Sequence, residues 1–177
     1  MEREKKKVLI VIDVQNDFVY GSLGTPEAQK VVPNIIKKVE EYRSRDDAII
    51  FTTDTHYDDY LETSEGRKLP VSHCIVGTSG YEIIPELNVE LSTMEKIYPK
   101  STFGYRWNMG HWMRCYDVEI IGVCTDICVV TNALVLKTYY PDIEITVDAS
   151  CCAGTTPEKH RAALEVMKSC QINVIRE

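Results

Sequence analysis

Cys124 and Cys128 lie four positions apart in an apolar stretch, residues 122–130. A pair so spaced could be a metal clip, a redox pair, a disulfide, or one working thiol beside a bystander. Three residues separate them, not the two of zinc knuckles or thioredoxin-like redox sites, and no second such pair exists. Seven cysteines is an odd number, which in a reducing compartment argues against a disulfide framework. A free cysteine is most often a small buried hydrophobe, and that reading suits Cys74, Cys115, Cys151, Cys152 and Cys170. Cys128 differs, because it falls where the loop after a strand turns into a helix. There the dipole and the unpaired N–H groups favour thiolate, and the same N–H groups can hold a developing oxyanion. Cys124 sits at the strand end, where its side chain has no such field.

The elements around this pair must bring other groups to it. Apolar, β-branched runs at 8–12, 48–53, 93–98, 118–123, 143–147 and 172–175 alternate with helical patterns. None alternates cleanly between polar and apolar, which suits strands covered on both faces. One helix opens at Thr25-Pro26-Glu27 with the stripe Val32, Ile35, Ile36, Val39 and Tyr42. A second runs from Cys128 to about Thr138. A third opens at Thr156-Pro157-Glu158 and directs Ala162, Ala163, Val166 and Met167 inward. A weaker helix covers residues 107–115. This order predicts an α/β fold: one doubly wound, Rossmann-like, mostly parallel six-stranded sheet in an α/β/α sandwich, as a single domain over residues 1–177. Such a sheet sets its site outside the carboxyl ends of its strands. Asp13, Asp54 with His56, Lys100 and Cys124 through Cys128 all fall there. Residues 57–90 make a segment too long for an idle connection and are expected to serve function.

The net charge is −7, which gives no electrostatic footprint for nucleic acid or an anionic membrane. The basic run Lys5-Lys6-Lys7 reads as a solvated terminus. The apolar run behind it is cut by Asp13, too short for a signal-peptide core or a membrane span. The expected location is cytoplasmic.

Asp-Val-Gln-Asn-Asp-Phe after the first strand, a lysine near the third, and Gly-Val-Cys-Thr-Asp-Ile-Cys-Val together resemble the isochorismatase-like cysteine hydrolases, from Val8 to Val174. The resemblance implies an Asp-Lys-Cys triad. Asp13 is then general base and acid, Cys128 the nucleophile, and a lysine orients and polarises. The family's Lys-x-Thr-Phe-Gly ending favours Lys100, with Lys96 the alternative. It also implies a cis peptide before Cys124, whose N–H joins that of Cys128 in an oxyanion hole. Asp17 reads as structural.

Asp54-x-His56, with His73 ahead of a Gly-Thr-x-Gly turn, resembles the metal motif of the family's nicotinamidase branch. An Asp and two His suit zinc or another first-row divalent ion, and alternation puts Asp54 and His56 on one side of an extended segment. Some relatives add a carboxylate, for which Glu65 is the candidate and Glu62 the reserve. Phe18 and an aromatic from residues 103–105 could sandwich a flat ring. The resemblance implies a small amide substrate, first nicotinamide, and a homo-oligomer, dimer or tetramer. Thr55, Tyr57 and Leu69-Pro70-Val71-Ser72 depart from the nicotinamidase pattern, which leaves another small amide or carbamoyl compound open. A third reading is a thiol-based redox or metal sensor using Cys124 and Cys128. His111 and His160 read as surface, packing or capping groups, and Trp107 and Trp112 as core or subunit contact.

Overall fold

Six parallel strands run through the centre of the computed structural model, which describes residues 6–177. The side chains of His111, Trp112 and Cys115 lie outside the described residues. The strands are β1 (Lys6–Ile12), β2 (Ala48–Asp54), β3 (Glu95–Lys100), β4 (Tyr116–Val123), β5 (Ile145–Ala153) and β6 (Asn173–Ile175), in the spatial order β3-β2-β1-β4-β5-β6. All described pairings are parallel, a doubly wound order that reverses direction beside β1.

Successive residues of β1 face opposite layers. Val8, Ile10 and Ile12 pack with Val129, Ala133, Leu136, Leu164 and Met167, from the segment 125–139 and from α4 (Pro157–Ser169). Leu9 and Val11 pack with Val32, Ile35, Val39 and Tyr42 of α2 (Pro26–Ser44). Coverage on both faces is why the strands read as continuous apolar runs. The short α1 (Asn16–Val19) follows β1, and α3 (Val130–Tyr139) follows β4. Both long helices start as their sequences require. Thr25 accepts a hydrogen bond from Ala28 N and Thr156 one from Lys159 N, each followed by proline. No helix among the described residues is long and apolar enough to cross a membrane.

Four expectations need correction. On α4 the buried residues are Ala163, Leu164 and Met167, while Ala162 and Val166 are exposed, so the helix is rotated relative to the expected stripe. Strand β5 continues to Ala153, well past Val147, because long-range partners accommodate Asp148 within it. Cys170 is exposed at the C-cap of α4 and is not a core residue. Residues 110–115 form a 3₁₀ turn, with Trp107 ahead of it in the core.

Candidate active site and metal centre

Strand register explains which side chains meet. Ile12 pairs with Thr52 on one side and with Gly122 on the other, and Asp54 pairs with Lys100. Asp13 therefore leaves β1 beside Thr52 and beside the start of the cysteine turn. It does so in the left-handed region, at φ 50°, which Asp tolerates better than most residues. Gly122 is needed for the close packing, since a Cβ there would lie 2.2 Å from the Ile12 carbonyl oxygen and its φ is 123°.

Lys100 stands at the centre. Its Nζ is 2.6 Å from Asp13 Oδ2, 3.3 Å from Asp54 Oδ1 and 3.7 Å from Cys128 Sγ. Thr52 Oγ1 donates to Asp13 Oδ1 at 2.6 Å. Asp13, Lys100 and Cys128 are 0%, 5% and 4% exposed. Lys96 pairs with Ile50 near the start of β3 and is exposed, four residues before Lys100.

Burial pushes Asp13 above the ordinary aspartate value; Lys100 opposes this and Asp54 adds to it. Burial would push Lys100 down, but Asp13, Cys128 and Asp54 hold it above the ordinary lysine value. Burial also raises the Cys128 thiol well above its usual value, with Asp13 adding and Lys100 opposing. This direction is opposite to the one expected from the helix start alone, because burial and the neighbouring carboxylates disfavour the charged thiol. Burial also lifts the Cys124 thiol, up to about 12.

The thiol sits on a π-helical turn, Thr125–Val129, and the Val123–Cys124 peptide is cis. The turn is tied to the loop after β3 by Asn132, a buried residue that sequence reading passed over. Asn132 accepts from Tyr105 N and Trp107 Nε1 and donates to Phe103 O and Cys128 O, which uses both ends of its amide. An Asn one turn past a suspected nucleophile was the available signal.

Beside the triad, one ligand atom from each of Asp54, His56, Glu65 and His73 lies within 4.8 Å of the others. Asp54 Oδ2 is 3.1 Å from His56 Nε2 and 3.5 Å from His73 Nε2, and Glu65 Oε1 is 3.8 and 3.9 Å from the same nitrogens. Ligands held about 2.1 Å from one ion stand roughly 3.0–3.4 Å apart, so the set fits a small divalent ion with modest closure at Glu65. His73 Nδ1 is 2.8 Å from the Val71 carbonyl, an arrangement that turns Nε2 toward the cluster. Glu62 is exposed on a 3₁₀ turn, outside the cluster.

The long segment is pinned at several points. Gln15 donates to the Asp54 and Tyr81 carbonyls and accepts from Asp54 N. Asp17 accepts from Cys74 N at 2.8 Å, the structural role expected of it. Tyr60, which nothing in the sequence marked, is buried edge-on against both imidazoles at 4.7 and 4.9 Å and donates to the Leu69 carbonyl. Phe18 lies 5.5 Å from the His73 ring. Tyr105 stacks on Tyr98 in the core, leaving Phe103, 46% exposed, as the free aromatic of residues 103–105.

The model of the isochorismatase domain matches residues 7–177. A nicotinamidase of Schizosaccharomyces pombe is 30% identical over 96% of this chain and 92% of its own length. A probable inactive nicotinamidase of Arabidopsis thaliana is also 30% identical, over 95% of this chain and 91% of its own. The crystal structure of the pyrazinamidase of Pyrococcus horikoshii in complex with zinc matches with a TM-score of 0.81 and 27% identity, covering 97% of this chain and 99% of that one.

Proposed function

The chain belongs to the isochorismatase family, and on that premise we propose that it is an amidohydrolase that deamidates nicotinamide to nicotinate and ammonia through a thioester on Cys128. The observation that carries this reading is Lys100 Nζ, within 3.7 Å of Asp13, Asp54 and Cys128 at once. One relative is named a nicotinamidase and another a probable inactive nicotinamidase, at equal identity. Similarity alone therefore does not decide activity, and the assembled triad is what favours it here.

Asp13 takes the thiol proton as Cys128 Sγ attacks the amide carbon. The oxyanion is received by the N–H groups of Cys124 and Cys128 at the head of the turn. Asp13 returns the proton to the amide nitrogen, the C–N bond breaks and ammonia leaves. Asp13 then takes a proton from water, which attacks the thioester, and the acid is released as Cys128 regains its proton. Burial that raises the basicity of Asp13 suits this shuttle. Lys100 keeps its charge and offsets the negative charge that develops around the thiol.

Asp54, His56, Glu65 and His73 are the residues that would hold a divalent metal ion, for which zinc is our assignment. Three carboxylates, Asp13, Asp54 and Glu65, converge here against the single ammonium of Lys100, so a divalent cation would balance the site. When bound, the ion supplies a Lewis acid that seats a pyridine nitrogen. Phe18 and Phe103 are the aromatics available to flank the ring. A second reading, another small amide or carbamoyl compound, is favoured by Leu69, 38% exposed in the segment that departs from the nicotinamidase pattern.

The test is ammonia release from nicotinamide by the zinc-loaded protein, with Cys128→Ala beside it. Release that disappears in the variant is expected. A zinc-loaded protein that releases none would discard nicotinamide and favour the second reading.

A further inference from the structure

The turn that carries Cys128 is gripped from outside by the start of α4. Thr125 opens the turn with its side chain buried, and its hydroxyl is 2.8 Å from His160 Nδ1. The next residue, Asp126, accepts from Thr155 N at 2.7 Å and from Thr155 Oγ1 at 2.6 Å. The helix end is itself fixed, since Thr156 caps it and His160 N donates to Thr156 O at 2.9 Å. Gly154 permits the close approach: a Cβ there would lie 2.9 Å from Asp126 Oδ1 and from His160 N.

We propose that His160 is a positioning residue for the hydrolysis, holding the nucleophile turn in place through the Thr125 hydroxyl. This rests on the amidohydrolase reading of the same site. Thr125 lies between the two residues whose N–H groups receive the oxyanion, one after Cys124 and three before Cys128. Freeing it lets the turn relax between those donors and shifts Cys128 Sγ relative to Lys100. A misplacement of about 1 Å at reacting atoms costs on the order of 100-fold in rate. The two grips are not equivalent. Thr155 holds Asp126 partly through its backbone, which substitution leaves alone, whereas the Thr125 link is one side chain on another. Burial holds His160 below the ordinary histidine value, against the pull of Asp126, which favours the neutral ring, whose Nδ1 can bond the hydroxyl in either tautomer. His160 contacts no reacting group; its effect passes through Thr125.

The experiment compares His160→Ala, His160→Asn, Thr125→Val, Thr125→Ser and the double variant His160→Ala/Thr125→Val in the zinc-loaded protein. An Asn amide can stand where Nδ1 stands and either donate or accept. Expected are a fall in kcat of about tenfold or more in His160→Ala and Thr125→Val with KM unchanged, and recovery of most of kcat in His160→Asn and Thr125→Ser. The double variant should be no worse than either single one. An Asn variant as slow as the Ala variant, a loss carried by KM, or additive losses would overturn the proposal. Alkylation of Cys128 by iodoacetamide is followed in parallel, because it needs no amide substrate. If the wild type releases no ammonia from any amide, the functional reading fails. The positioning role is still decided, by whether alkylation slows in His160→Ala and recovers in His160→Asn.

Discussion

Among the described residues two lysines are buried, each between two carboxylates, in different parts of the fold. Lys100, at the carboxyl ends of the strands, meets Asp13 at 2.6 Å and Asp54 at 3.3 Å. Lys38 of α2 meets Glu119 of β4 at 2.6 Å and Asp148 of β5 at 3.0 Å. The first shells are nearly the same; what surrounds them is not. Around Lys38 the remaining carboxylate oxygens are served: Tyr42 donates to Glu119 Oε2, Ser150 donates twice to Asp148 Oδ1, and Arg176 donates to Asp148 Oδ2. Two cations face two anions. Around Lys100 one ammonium faces two carboxylates and a thiol, and Asp13 Oδ2 has the ion-pair contact but no aligned hydrogen bond. The result is opposite shifts for two buried aspartates. Burial raises Asp13 and its partners do not overcome it. Burial also raises Asp148, but Ser150, Lys38 and Arg176 win and its value is lowered. A satisfied network holds a fold together, and an unsatisfied one is available for chemistry.

Neutralising each aspartate in turn should separate these roles most sharply. Asp13→Asn is expected to lower kcat by about 10² to 10⁴ without lowering the urea midpoint, since it removes a charge that the fold disfavours. Asp148→Asn is expected to leave kcat unchanged and to cost about 3 kcal/mol in urea unfolding, by stranding part of a buried charge network. Equal stability losses in the two variants would end the distinction. The cost at Asp148 should also depend on pH with a definite sign. Its folded value is depressed, so its contribution is present above the ordinary aspartate value of 3.8 and fades as the pH falls below that, through the folded value. Unfolding curves for wild type and Asp148→Asn should converge on acidification; a gap that stays constant would show that charge is not its source.

Charge balance supplies a somewhat smaller test. Zinc should stabilise the protein by about 2.7 kcal/mol at a hundredfold excess over its Kd, and a chelator should reverse this. Glu65→Gln should shrink the thermal shift, and Asp148→Asn should keep it. A shift equal in wild type and in His73→Ala would place the ion elsewhere.

Much of this was legible in the residues because a doubly wound sheet converts strand order into a site. The apolar runs located the strands, and the groups just past them, Asp13, Asp54, Lys100 and Cys128, converge at one rim. What could not be read depended on partners distant in sequence. Asp148 follows the apolar run 143–147, and Lys38 and Arg176 hold it inside the strand. The rotation of α4 that buries Leu164 and exposes Val166 is set by docking, not by the helix's own pattern. Tyr60 does its work at zero charge and has no signature in a lone sequence, and Asn132 offers only its place one turn past Cys128. Burial pushes the Cys128 thiol in the opposite direction to the helix start, because a dipole argument counts the helix and omits the desolvation around it.

The smallest expected effect concerns the other lysine of β3. Lys96 and Lys100 are four residues apart, an even number, so a strand directs both to the same side and periodicity cannot separate them. Register can. Lys96 pairs with Ile50 near the start of β3, whereas Lys100 pairs with Asp54 at the rim, where β1 has already ended in Asp13. Lys96→Ala should therefore leave kcat unchanged and alter unfolding by no more than about 0.5 kcal/mol, as expected of an exposed side chain. Lys100→Ala should lose turnover together with Asp13→Asn and Cys128→Ala. A loss of turnover in Lys96→Ala comparable to that in Lys100→Ala would mean that β3 is shifted along β2 in the working enzyme, and the comparison between the two buried lysines would have to be redrawn around a different ammonium.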